Sequence, residues 1–119
     1  MIIKKNINFT ESHKNLKGGL GITNIINILD KENLCQEGEF LNIMELDVGD
    51  SIGAHSHIGE LEIYYILEGT GEILDNGNFY AVTSGDCAVA YENEIHSIKN
   101  TGSEKLKWIA LILYKNHGS

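Results

Sequence analysis

His55-Ser56-His57-Ile58-Gly59-Glu60-Leu61-Glu62 is the stretch whose reading decides the fold. Two histidines one residue apart project from the same face of a strand, because successive Cβ atoms point to opposite faces. A short turn containing Gly59 sends the chain back, and a returning strand places Glu62 beside the two imidazoles. A third imidazole, His96, lies farther along and completes a candidate metal-binding cluster.

Working outward, short apolar and β-branched runs broken every eight to twelve residues by Gly, Asn or Asp dominate from about Ile22 onward. That pattern is the mark of an all-β sandwich or barrel. The runs predict strands over Ile22–Leu29, Phe40–Val48, Ser51–His57, Glu62–Leu67, Gly71–Leu74, Asn78–Val82, Cys87–Tyr91, His96–Lys99 and Leu106–Tyr114. Asp75-Asn76-Gly77-Asn78 predicts a tight hairpin turn, since Asn and Gly tolerate positive φ. Thr10–Leu16 and Lys31–Leu34 are read as short helical turns. With no repeat and no linker, the 119 residues are expected to form one domain, residues 1–20 serving as an N-terminal arm or edge strand.

Nine basic residues against seventeen acidic ones leave a formal charge of -8, which repels polyphosphate and anionic lipid, so neither nucleic acid nor membrane is expected as a partner. All nine cations are lysines. Without arginine's planar fork, heavily phosphorylated substrates are disfavoured. Cys35 and Cys87 lack a metal-type spacing and are read as reduced, buried thiols. The start of the chain has no apolar leader-like core and no run is long enough to span a bilayer, so a cytoplasmic location is expected.

Written as spacings, Gly49, five residues, His55, one, His57, four, Glu62, six, Gly69 resembles the first signature motif of the cupin superfamily. Gly85, five, Tyr91, one, Asn93, two, His96, three, Asn100 resembles the second. Tyr91 replaces the usual proline and Asn93 the usual glycine; Asn readily enters the left-handed region, so the turn can survive. The resemblance implies a double-stranded β-helix, or jelly roll, with a metal in its lumen held by His55, His57, Glu62 and His96. Divalent Fe, Mn, Ni, Co or Zn suits such a donor set, and an octahedral sphere leaves two positions open. It also implies a homodimer formed through the outer face of a sheet, with Met1–Phe9 as a segment for exchange.

Alternation places Tyr64 and Ile66 on the face of Glu62, and Ile98 and Asn100 on that of His96, Asn100 bracing the hairpin. Phe40, Met44, Leu46 and Val48, with Trp108, Ala110 and Ile112, are the expected lumen wall, in preference to Leu41 and Ile43. Tyr64 and Tyr91 are the candidate catalytic residues. Glu60, Glu68 and Glu72 are read as solvated charge, as are His13 and His117 near the termini. Cys87 opens a strand leading toward His96 and is given no role. The preferred function is a metal-dependent enzyme acting on a small neutral or apolar metabolite, with dioxygenase chemistry slightly ahead of isomerase, decarboxylase or lyase chemistry. The alternative is a module that binds or senses a small molecule without turning it over.

Overall fold

β-Branched and aromatic residues at period two, cut by glycine and asparagine turns, leave this chain little option but strands, and a computed structural model shows ten of them among the described residues, 1–5 and 8–115. In chain order they are β1 (Glu11–Lys14), β2 (Ile22–Asp30), β3 (Gly38–Leu46), β4 (Ser51–His55), β5 (Glu60–Glu68), β6 (Thr70–Asp75), β7 (Asn78–Thr83), β8 (Cys87–Ala90), β9 (His96–Asn100) and β10 (Leu106–Tyr114). They form two antiparallel sheets, one ordered β1-β2-β3-β10-β5-β8 and one ordered β4-β9-β6-β7. This is the expected jelly roll. The hairpin at Asn76-Gly77 has both central residues at positive φ, 46° and 100°, as a tight turn demands.

The core lies between the sheets. Trp108, Leu46, Ile66, Ile98 and Leu106 are fully buried there, joined by Ile25, Met44, Ile52, Tyr64, Ile73 and Ala110. Register aligns these residues in rows across three strands: Phe40, Ile112 and Glu62 in one, Asn42, Ala110 and Tyr64 in the next, Met44, Trp108 and Ile66 in the third.

Several expectations are corrected. Thr10–Leu16 is not a helical turn: Glu11–Lys14 pairs with Ile22–Ile25 as an edge strand, and a single 3-10 turn follows at Leu16–Gly18. That turn seats directly on β4, where a Cβ added at Gly53 would collide with the Lys17 carbonyl oxygen. Only glycine permits so close an approach. Lys31–Leu34 belongs to hydrogen-bonded turns and forms no helix. β4 ends at His55, so His57 lies beyond the strand. Val48 is exposed past the end of β3, and Asn42 takes a place in the inner wall that the apolar count passed over. Both cysteines are free and exposed, not buried: Cys35 lies in a turn at positive φ, and Cys87 opens β8 opposite the outward Tyr65. His117 lies outside the described residues.

Candidate metal centre

Three strands deliver the cluster. β4 ends on His55, which pairs in register with His96 at the start of β9, while Glu62 lies on β5. His57 reaches the same point from the loop between β4 and β5, held there because its carbonyl accepts a hydrogen bond from the Asn93 amide at 2.8 Å. Asn93 has φ of 69°, so the turn keeps the conformation that glycine would have supplied. Glu92 adds a second tie, accepting from the Gly59 amide at 2.6 Å. The segment of the degenerate second motif therefore props up the first.

The ligand-type atoms of His55, His57, Glu62 and His96 all lie within 4.8 Å of one another. His96 Nε2 is 3.1 Å from His55 Nε2 and 3.2 Å from His57 Nε2, and Glu62 Oε1 is 3.0 Å from His57 Nε2 and 3.2 Å from His96 Nε2. A metal holding its donors at roughly 2.1 Å and at right angles places neighbouring donors about 3.0 Å apart. The four side chains fit that geometry. Their donor set fits as well, since imidazole nitrogens so close together present lone pairs that only protons or a cation can reconcile.

Groups behind the cluster set its tautomers. His55 Nδ1 donates to the Gly53 carbonyl at 2.7 Å, and His57 Nδ1 donates to Glu60 at 2.8 Å, leaving both Nε2 atoms to face the centre. Glu60, read from sequence as solvated charge, is thus half-buried and committed to His57. Its signal was available: a carboxylate three residues after a candidate ligand histidine, inside the same hairpin. Burial pushes the Glu62 carboxyl up, but hydrogen bonds from His57 and His96 outweigh it and hold the group down to about 2. The Glu62 hydrogen bond is also the main reason that His57 is raised above 6.5, with Glu60 adding to it. His55 is lowered, chiefly by burial.

A chamber of about 330 Å³ opens over the cluster. Its walls are Phe40, Met44, Ile52, Ile25 and Ile112, with Asn42 and Tyr64 as polar members, and Glu11, His13 and Lys17 from the N-terminal arm at its edge. His13, read as solvated, therefore borders the chamber. Tyr64 is fully buried between His96 and Trp108, its ring 5.3 and 5.5 Å from theirs. Burial, then the charge and hydrogen bond of Glu62, raise its phenol well above 10.0, so the hydroxyl stays protonated and donates to Glu62. Tyr91 does not join the cluster: it lies in the turn after β8, is 59% exposed and faces a separate depression with Leu61 and Lys115. Asn100 braces the end of β9, donating to the carbonyls of Leu46 and Glu104 and accepting from the Gly102 amide. Cys87 stays on the outside.

A barrel of two antiparallel sheets with three histidines and a glutamate converging in its lumen defines the cupin class, and residues 42–112 match the model of the cupin domain. The chain belongs to the cupin family. It is 36% identical over 113 residues to an oxalate-binding protein of Thermotoga maritima, covering 95% of this chain and 93% of that one. A crystal structure from T. maritima, described as a predicted oxalate decarboxylase, superposes with a TM-score of 0.92 at 36% identity over 96% of this chain and 99% of that one. A cupin 2 conserved barrel domain protein from Salinispora arenicola has a TM-score of 0.73 at 17% identity, covering 95% and 88%, and shares the fold.

Proposed function

We propose that this protein binds a divalent transition metal through His55, His57, Glu62 and His96 and uses it to hold a small carboxylate, of which oxalate is the simplest candidate. The observation that carries the reading is the convergence of four ligand atoms, three of them imidazole nitrogens, at the floor of an otherwise largely apolar chamber. When bound, the metal supplies a Lewis acid with open coordination positions for an anionic oxygen. The T. maritima relative's name supports a carboxylate over a neutral metabolite, and Lys17 at the chamber's edge supplies positive charge in the absence of arginine.

Binding without turnover is the favoured form. Acid-base chemistry needs a titratable group near neutrality beside the ligand. Tyr64 is held protonated and is committed to Glu62, which makes it a positioning residue, Glu60 is committed to His57, and the acid-base candidates left, Glu11 and His13, lie on the exposed edge strand at the chamber's rim. Dioxygenase or decarboxylase activity remains the competing reading, favoured by the open metal positions. Calorimetry of oxalate on Mn-loaded protein, with dioxygen uptake and carbon dioxide release followed in parallel, tests both. Saturable binding with no gas exchanged is the expected result; absence of binding overturns the carboxylate, and turnover overturns the binding module.

The working unit is proposed to be a homodimer in the cytoplasm. The outer face of the larger sheet carries partly exposed apolar residues in two rows, Ile43-Ile109-Tyr65 and Leu29-Leu41-Leu111-Ile63-Val89, a surface suited to covering by a second copy. Two free, exposed cysteines suit a reducing compartment. Sedimentation of Ile109→Lys as a monomer, with its metal content kept, is the expected check.

A further inference from the structure

We propose that Asn42 is the residue that reads the ligand: its side-chain amide donates to an oxygen of a second group, at the far end of a ligand whose carboxylate is held by the metal, so the chamber selects a dicarboxylate or 2-oxo acid over a simple monocarboxylate. The inference rests on the metal and carboxylate reading above and sharpens it.

Asn42 is 3% exposed, on the inner face of β3, in the wall of the chamber. Its orientation is fixed from behind. Asn27 Nδ2 donates to the Leu29 carbonyl at 2.9 Å, which identifies that atom as the amino group, because a carbonyl can only accept. The same Nδ2 is 2.8 Å from the Asn42 amide, so the Asn42 atom facing it is the carbonyl oxygen. Asn42 Nδ2 is thereby turned the other way, and no acceptor is paired with it among the described residues. It is not sealed in protein either: the buried side-chain atoms that lack both solvent and partner are Thr23 Oγ1 and Trp108 Nε1. The remaining opening is the chamber.

The register makes room for a ligand there. Asn42, Ala110 and Tyr64 form one cross-strand row, with the smallest of the three in the middle. Asn42 and Tyr64 stand two strand spacings apart, roughly 10 Å, over a floor that carries only a methyl group. Glu62 lies in the adjoining row on β5. A ligand held at the cluster and lying over Ala110 therefore meets the amide with its far end. An amide hydrogen demands an oxygen acceptor, and a metal prefers an anionic oxygen; a molecule with both is a carboxylate carrying a further carboxylate or oxo group.

The test is calorimetry of oxalate and acetate on Mn-loaded wild type, Asn42→Leu and Asn27→Ala, with Mn affinity measured first on each. Acetate has the anionic end but no second group, so it reports on metal and chamber without the amide contact. Asn42→Leu should keep Mn and acetate binding and lose about 10- to 100-fold in oxalate affinity, the size expected for a hydrogen bond to a charged group. Asn27→Ala, on an exposed side chain, releases the Asn42 amide to rotate and should lose about threefold on oxalate alone. Should Asn42→Leu fail to fold, Asn27→Ala decides by the same ratio. Equal losses for oxalate and acetate, or no loss for either, overturn the assignment of Asn42 while leaving the metal site standing. Wild type that takes up no Mn overturns the metal reading, and this one with it.

Discussion

The same three strands, β3, β10 and β5, build an open chamber at one end and solid core at the other. Toward the chamber their row is Phe40, Ile112 and Glu62; four residues along each strand it is Met44, Trp108 and Ile66. Both rows sit in antiparallel pairing, with a register irregularity beside each, at Ile112/Leu113 against β3 and at Lys107/Trp108 against β5, and the clearest difference between them is side-chain volume and polarity. Trp108 fills the lumen from the central strand, whereas two residues on Ala110 leaves a gap that Asn42 and Tyr64 flank. A site in this barrel is a place where packing has been withheld.

The largest expected effect lies at the solid end. Trp108→Ala should destabilise the protein by about 3–5 kcal/mol in urea denaturation, the range for deleting a large buried aromatic. Protein that remains folded should still bind Mn at the wild-type ratio, because Trp108 reaches the cluster only through Tyr64. Metal loss in step with stability would show that the two ends are one unit. At the chamber end the order reverses. Structural zinc sites bind with roughly 10–16 kcal/mol shared among four ligands, so removing one costs about 2.5–4 kcal/mol, about 100- to 1000-fold in affinity. Glu62→Ala should show that loss by elemental analysis and metal titration. It should also lower the stability of the apo protein at neutral pH, since the hydrogen bonds that hold this carboxyl down to about 2 stabilise the fold above its ordinary value and its loss leaves the buried Tyr64 hydroxyl without its acceptor.

The two ends were unequally legible in the sequence. His55, His57, Glu62 and His96 could be placed because their chemistry is rare and their spacing is tied to a strand, a turn and a returning strand. Trp108, Ala110, Tyr64 and Ile66 followed from alternation. Asn42 did not, although the alternation of β3 put it between Phe40 and Met44, because a polar residue on an inward face is discounted unless its partner is known. That partner, Asn27, becomes visible only through the pairing of β2 with β3, which local pattern does not give. Tyr91 shares the motif but not the cluster: its turn directs the side chain outward, toward a separate depression, and motif position alone does not give side-chain direction. The edge strand β1 was hidden because all four of its residues are exposed and carry no apolar period.

Glu60 belongs to neither end by sequence, yet it is the hinge of the comparison, since it converts a hairpin carboxylate into control of a ligand nitrogen. Glu60→Gln should lower metal affinity by about 10- to 100-fold, the usual cost of altering a group behind a metal-binding histidine, with the melting curve of the apo protein little changed. Glu60→Asp, which keeps the charge but shortens the reach, should recover part of the loss. An unchanged affinity in both variants would return Glu60 to the solvated surface.

The smallest effect is in the pH dependence, and its sign follows from His57. In the metal-free protein His57 is raised above 6.5 by Glu62 and Glu60, while His55 is lowered by burial. As pH falls, His57 is therefore the first of the two to hold protons on both nitrogens, one toward Glu60 and one toward Glu62. A metal must displace the proton on Nε2. Mn affinity should be flat at alkaline pH and decline below the raised value by up to about a decade per pH unit, one proton being released per metal. Titration in two buffers of different ionisation enthalpy counts that proton. In Glu60→Gln one of the groups raising His57 is gone, so the decline should begin at lower pH, and the affinity curves of variant and wild type should converge as the solution is acidified. Parallel curves would mean that Glu60 orients the ring without tuning its charge, and the difference between the two ends of the barrel would then be one of shape alone.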